Sequence, residues 1–260
     1  MNLTNNTVLI TGGTSGIGLE LAKRLSKLGN TIIVTGRDAN KLQRAKAEVP
    51  HLHTIQSDVS NIAEIDSLFV RVIREFPQMN ILINNAGIMR TINLHDTKVS
   101  PAELIREIET NLCGPIQMTS KFLPHLKTKA TAAVVNVSSG LAFVPLPTSP
   151  IYCATKAAIH SFTQSLRVQL KNTKIKVFEL APPATKTELL DNSNPEDMKG
   201  VAIMRVEDMV AAAIKGLQSD QLEIRPGQAN QLKFMSRLAP EFILKQLSRP
   251  VDRMLAATKH

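Results

Sequence analysis

The chain has 260 residues, 43% of them hydrophobic and 20% charged, a balance that excludes a disordered chain and fits one large α/β domain. A formal charge of +9 comes with only 3% aromatic residues, and without a base-stacking platform or helix-turn-helix signal it argues against nucleic-acid binding. The two cysteines, Cys113 and Cys153, lack metal-ligand spacing, so neither a zinc site nor a disulfide framework is expected and both read as small apolar residues.

Residues Met1 to Asn6 contain no basic segment leading into a long apolar run, and charges interrupt every later apolar run before spanning length. The expected location is the cytoplasm. In chain order the pattern alternates short β-branched runs with amphipathic stretches: Thr7–Thr11, a helix from about Gly16, Thr31–Thr35, a helix over Asp38–Glu48, Leu52–Ser57, a helix over Ile62–Phe76, then Ile81–Asn84. The second half continues with helices near Ala102–Glu109 and Pro115–Leu126, the strand Ala133–Val137, a helix over Ile151–Leu170, the strand Ile175–Leu180 and a short last strand at Leu222–Arg225. Such β-α-β order implies parallel strands joined by right-handed crossovers, buried on both faces. The expected fold is an α/β, single-domain, Rossmann-type doubly wound parallel sheet of about seven strands with helices on both faces. Ligands then bind at the carboxyl ends of the strands.

Directly after the first strand stands Thr11-Gly12-Gly13-Thr14-Ser15-Gly16-Ile17-Gly18, leading into a helix. Glycines there permit positive φ and close approach of the backbone to a pyrophosphate, whose charge is favoured by the unpaired N–H groups at a helix start. A turn chosen only for tight packing has the same composition. Further on, Tyr152 and Lys156 are four apart and share one helix face. A phenol with pKa near 10 donates a proton to a reacting carbonyl more readily when a cation stabilises its anion. A lone Tyr-x-x-x-Lys usually marks only a solvated helix face. Tyr152, however, is the chain's only tyrosine and lies 13 residues after Ser139.

The glycine spacing, together with Asn84-Asn85-Ala86-Gly87, Asn111, Ser139 and Tyr152-Cys153-Ala154-Thr155-Lys156, resembles the short-chain dehydrogenase/reductase family in order and spacing, over nearly the whole chain to about Pro226. The run Tyr152 to Phe162 and Pro182-Pro183-Ala184-Thr185-Lys186-Thr187 are similar to the family's DltE-like oxidoreductase branch. The resemblance implies hydride transfer between a nicotinamide cofactor and a carbonyl or alcohol. It makes Tyr152 the general acid/base, with Lys156 binding the nicotinamide ribose and lowering the Tyr152 pKa. It also gives Ser139 a hydrogen bond to the substrate oxygen, Asn111 a water relay, and Ser138 no more than a neighbour's part. The cofactor would meet Gly12, Thr14, Ser15, Gly16, Ile17 and Gly18 at its pyrophosphate, Asn85 and Gly87 at the adenosine ribose, Asp58 and Val59 at adenine, and Pro182, Thr185 and Thr187 at the nicotinamide carboxamide. Capping the following helix is the alternative for Asp58, and the two roles do not exclude each other. Pro183 stands where the family has glycine, which removes a donor and fixes φ.

Cofactor choice turns on the end of the second strand, where NAD-specific relatives place an acid on the ribose 2′-hydroxyl. Gly36 occupies that place and Arg37 follows, a planar cation suited to a 2′-phosphate, so NADP(H) is expected, with NAD(H) as the alternative. Asp38 either weakens that phosphate site or caps the next helix. Substrate lips are expected at Leu141–Pro150 and Leu189–Val206.

Residues 1–226 read as the cofactor-binding and catalytic part and 227–260 as a helical extension of the same domain. From Arg225 onward the extension carries seven basic residues against two acidic ones and reads as two short amphipathic helices. Their apolar faces are expected against the domain or a second subunit in a homo-oligomer. Peripheral membrane contact and an acidic partner are the alternatives. The competing functional reading is a nucleotide-binding scaffold or regulatory protein of the same fold with little turnover.

Overall fold

A computed structural model describes residues 1–96, 99–191 and 201–257 of the chain. Seven strands, β1 (Thr7–Thr11), β2 (Thr31–Gly36), β3 (His53–Gln56), β4 (Met79–Asn84), β5 (Ala132–Val137), β6 (Ile175–Leu180) and β7 (Glu223–Ile224), form one sheet in the order 3-2-1-4-5-6-7. Every pairing is parallel. The strand positions match the sequence pattern to within two residues at most ends.

Both faces of the sheet are covered, which is why the central strands carry almost no solvent-facing polarity. One face packs against α1 (Gly16–Lys27), α2 (Ala39–Glu48) and α8 (Val206–Gln218), through Val8, Ile10, Val34, Leu21, Leu25 and Met209 among others. The other packs against α3 (Ile62–Glu75), α5 (Gly114–Lys127) and α6 (Pro150–Gln169), through Leu9, Ile33, Leu68, Phe122 and Leu166. Between α3 and α5, α4 (Pro101–Ile108) begins with a capping box in which Ser100 and Glu103 satisfy each other's backbone N–H groups. It runs into a π-helical turn over Glu109–Cys113 that carries Asn111. Such a widened turn re-aims side chains and is frequent at functional sites. A short helix, α7 (Glu188–Asp191), follows β6.

The tail forms three helices rather than two: α9 (Gln228–Leu238), α10 (Pro240–Leu247) and α11 (Arg249–Ala257). Proline at the start of α10 and arginine-proline at the start of α11 each reset the chain, because proline continues no helix from the preceding turn but starts one well. Among the described residues no helix is long and apolar enough to cross a membrane.

Two buried polar networks fix how strand ends and helices meet. On β4 and β5, Asn84 Nδ2 donates to Asn136 Oδ1 at 2.8 Å and Asn136 Nδ2 donates to Thr163 Oγ1 of α6 at 3.0 Å. On β6, Glu179 is fully buried; it accepts from the Ser138 hydroxyl at 2.5 Å and meets His160 Nδ1 of α6 at 2.8 Å. A carboxylate in an otherwise apolar parallel strand is costly unless such partners surround it. Glu179→Ala strands the Ser138 and His160 groups and is expected to lose about 3 kcal/mol of stability, whereas Glu179→Gln keeps most of the geometry and loses about 1 kcal/mol. Urea melts followed by circular dichroism check the order; equal losses would show that the bridge carries no stability.

Candidate active site

The sheet order reverses direction between β1 and β4, so the loops after these strands diverge and leave a crevice at their carboxyl ends. A cavity of about 1240 Å³ opens there. It runs from the glycine turn after β1, past the ends of β2, β3, β4 and β5, to the tail helices.

At one end, Gly12, Thr14, Ser15, Gly16 and Ile17 line the cavity. Gly12 and Gly16 have φ of +65° and +52°, so their conformation itself favours glycine. Ser15 is the N-cap of α1 yet its side chain makes no capping bond, and the N–H groups of the first turn are left to an anion. Gly18 does not line the cavity. A Cβ there would lie 2.3 Å from the Gly12 carbonyl oxygen, so this glycine serves helix-to-turn packing. Asn85 pins the same turn, donating from Nδ2 to the Thr11 and Gly12 carbonyls at 3.0 and 2.9 Å.

Beside the turn, Gly36 ends β2, and a Cβ on it would sit 2.9 Å from the Thr14 methyl. Arg37 and Asp58 both line the cavity, with 3.6 Å between guanidinium Nη1 and carboxylate Oδ2. Asp58 also accepts from the Ser60 backbone N–H at 2.9 Å and caps no helix; the cap of α3 is Asn61. Asp38 accepts from the N–H groups of Asn40 and Lys41 and caps α2, and these bonds hold its carboxyl below the usual range. Val59 lines the cavity next to Asp58, with its backbone packed on Gly114 at the start of α5.

At the far side, β5 delivers Ser139 and α6 delivers Tyr152 and Lys156, all three buried and all lining the cavity. The Ser139 hydroxyl lies near enough to the Tyr152 phenol to favour its anion. Lys156 Nζ donates to the Val137 carbonyl at 2.9 Å and lies 5.6 Å from the centre of the Tyr152 ring. Gly87 lies beside both Asn111 and Lys156: a Cβ on it would press on Asn111 Oδ1 at 3.3 Å and reach ordinary contact with Lys156 Nζ at 3.5 Å. Burial pushes the Tyr152 phenol up to about 12, against a smaller lowering by Ser139, and burial brings the Lys156 ammonium down to about 8. Burial is the largest influence on Tyr152 and runs opposite to the lowering that the family resemblance implied.

Asn111 is fully buried and lies behind the cavity wall rather than on it. Its side chain accepts from the Ile88 N–H at 2.8 Å and donates to the Ile88 carbonyl at 2.8 Å and to Thr155 at 3.3 Å. It therefore ties the loop after β4 to α6. After β6, Pro182 accepts from the Gly140 N–H at 2.8 Å, Thr185 is buried, and Thr187 packs its methyl against Gly16, so that this segment roofs the glycine turn. Pro182, Thr185 and Thr187 all line the cavity.

Two features escape the sequence patterns. Glu107, one helical turn before Asn111, is fully buried, 3.7 Å from Arg90 Nε, and its carboxyl is raised by burial. Residues of α9, α10 and α11 line the substrate end of the same cavity. Leu141, Leu146, Leu189, Leu190 and Val201, from the two segments expected as lips, line the cavity, while residues 192–200 of the second segment lie outside the described residues. Glu107 breaks the apolar face of α4 and is detectable on that ground; the tail's placement has no local signal.

The family model for short chain dehydrogenases matches residues 6–198. The chain is 42% identical over 253 residues to the uncharacterized oxidoreductase DltE of Bacillus subtilis (strain 168), covering 95% of this chain and 98% of that protein. Among solved structures, a 3-ketoacyl-(acyl-carrier-protein) reductase from Brucella melitensis complexed with NADH superposes with a TM-score of 0.77 at 31% identity, over 85% of this chain and 93% of that one. A short-chain dehydrogenase from Sphingobium yanoikuyae in complex with NADPH gives 0.74 at 29% identity, over 84% and 87%. With a glycine turn, an Asn-Asn-Ala-Gly loop and a Ser-Tyr-Lys cluster around one cavity, and with these matches along most of its length, the chain belongs to the short-chain dehydrogenase/reductase family as a DltE-like oxidoreductase.

Proposed function

We propose that this oxidoreductase uses NADP(H) to interconvert a small carbonyl compound and its alcohol, with Tyr152 as the general acid/base. The observation that carries the reading is the convergence of Ser139, Tyr152 and Lys156 on one buried wall of a cavity whose other end is the glycine turn. A cofactor bound along that cavity supplies or accepts the hydride.

The residues of the chain divide the remaining work. Gly12 to Ile17 fit a pyrophosphate through backbone N–H groups, and Pro182, Thr185 and Thr187 fit the carboxamide end. Ser139, whose oxygen already accepts from the Leu141 N–H at 3.1 Å, orients a substrate oxygen beside Tyr152. Tyr152 gives its proton to the developing alkoxide in reduction and takes it back in oxidation. A phenol held near 12 is a poor donor unless its anion is stabilised during turnover. Lys156 is the buried cation placed to do so once its bond to the Val137 carbonyl is shared or exchanged. Asn111 holds the loop after β4 against α6 and keeps Gly87 close to Lys156.

The preference for NADP(H) rests on Gly36 and Arg37. A side chain at position 36 would collide with Thr14, so the acid that reads a ribose 2′-hydroxyl has no room, and Arg37 and Lys41 line that end of the cavity. Arg37 exchanges its 3.6 Å contact with Asp58 for phosphate oxygens. Parallel fluorescence titrations should give tighter binding of NADPH than NADH, and Arg37→Ala should weaken NADPH by about tenfold to a hundredfold while sparing NADH. Equal loss for both cofactors would refute the phosphate assignment.

Tyr152→Phe should reduce kcat by about a thousandfold in a carbonyl-reduction assay without weakening cofactor binding. A scaffold of the same fold would instead show cofactor binding and no turnover in the unaltered protein. Lys156 gives a separate signature. Its folded-state pKa is lowered, from 10.5 to about 8, so the buried charge opposes folding below about pH 8 and that cost is relieved as pH rises towards 10.5. Lys156→Met should therefore lose activity yet raise stability at pH 7 by about 3 kcal/mol, with the gain shrinking by pH 10. Thermal melts at both pH values check this; a gain independent of pH would contradict it.

A further inference from the structure

The substrate half of the cavity differs in charge from the cofactor half. Among the described residues three carboxylates line the cavity, Asp38, Asp58 and Glu188, and each belongs to the adenosine end: Asp38 caps α2, Asp58 faces Arg37, and Glu188 pairs with Lys41 at 2.5 Å. Beyond Ser139 and Tyr152, the described lining residues include four arginines, Arg90, Arg106, Arg249 and Arg253, and no acid. Arg90 is engaged from behind by buried Glu107 and by the Glu103 carbonyl, and Arg253 has a partner within the protein. The guanidinium groups of Arg106, on α4, and Arg249, at the start of α11, make no hydrogen bond or ion pair with the described residues.

Beyond Ser139 and Tyr152 much of the wall is apolar, made by Leu141 and Leu146 after β5, Leu232 and Met235 on α9, and Ile243 and Leu247 on α10, interspersed with the neutral amides of Gln228, Gln231 and Gln246. This wall is seated on the catalytic segment. Gly140, next to Ser139, lies against Ala229 and Leu232, where a Cβ would come within 3.4 and 3.2 Å. Lys233 bonds Glu223 of β7 and stands 5.1 Å over the Phe143 ring. The tail's basic residues reach the cavity through Arg249 and Arg253, which line it.

We propose that the carbonyl substrate has an apolar body and an anionic end group, a carboxylate or a phosphate, and that Arg106 and Arg249 hold that end at the mouth while the carbonyl reaches Tyr152. This rests on the hydride-transfer reading above. Guanidinium groups pair with either anion in bidentate fashion, and a cleft lined by one sign of charge concentrates oppositely charged solutes. A neutral carbonyl compound of the same length satisfies the apolar wall but leaves the arginines to water.

The test compares medium-chain aldehydes that end in a carboxylate, its methyl ester or a phosphate, assayed with the intact enzyme and NADPH. The carboxylate or the phosphate should exceed the ester by about tenfold in kcat/KM. The better of the two identifies the end group. The Arg106→Ala, Arg249→Ala double variant should bring that ratio to about one. Lys174→Ala, which removes a charge just before β6, at the amino ends of the strands and so at the opposite end of the sheet from the cavity, should leave the ratio in place. Ester and anions used equally well, or a preference that survives the double variant, would overturn the proposal. Calorimetric titration of the same compounds into Tyr152→Phe protein loaded with NADP separates the two readings. If the cofactor binds but no anion binds more tightly than the ester, the anionic end group is wrong while hydride transfer stands. If the cofactor itself fails to bind, the hydride-transfer reading falls.

Discussion

A lysine ammonium buried against the end of a β-strand organises this molecule. Lys156 projects from α6 onto the Val137 carbonyl at the carboxyl end of β5, with little water to solvate it, and burial alone brings its pKa down to about 8. Holding a charge there requires that α6 lie close and immovable over β5. That requirement accounts for the surrounding polar bracing: Asn136 to Thr163 on one side, Glu179 to His160 and Ser138 on another, and Asn111 to Thr155 on a third. Each brace joins α6 to a different strand end or loop. Ser139 and Tyr152 meet because these braces leave their two elements a single way to pack.

The fold was legible because parallel strands buried on both faces must be nearly all apolar, and the runs at Thr7–Thr11, Thr31–Thr35 and Ile175–Leu180 have no other function to serve. The cofactor end was legible for a similar reason. Positive φ at Gly12 and Gly16 restricts those positions to glycine, and restriction leaves a pattern. Gly18 belongs to the same pattern for a different cause, close packing on the Gly12 carbonyl, and spacing alone does not separate the two causes. Asp38 and Asp58 show the same limit: both stand where an aspartate caps a helix, and only Asp38 does so.

The substrate end was less legible because it is assembled from segments far apart in sequence. Nothing in the amphipathic pattern of residues 228–257 says which surface it covers. The answer lies in Gly140, whose lack of a side chain admits α9, and in Lys233, whose long stem crosses the Phe143 ring to reach Glu223. Glu107 and Glu179 are likewise visible in sequence only as breaks in apolar faces, and their partners Arg90, Ser138 and His160 come from other elements. In this chain, the constraints that involve one turn or one strand can be read locally, and those that join three elements cannot.

For Tyr152 to act as the proposed acid/base, the cofactor site, once filled, must stabilise its anion. Tyr152 is the chain's only tyrosine and there is no tryptophan, so tyrosinate absorbance near 295 nm reports this one group. In the cofactor-free protein the account predicts negligible tyrosinate below about pH 11, in keeping with a phenol near 12. With saturating NADP the midpoint should fall by about three units, equivalent to roughly 4 kcal/mol of anion stabilisation. A midpoint that does not move when the cofactor binds would contradict the account.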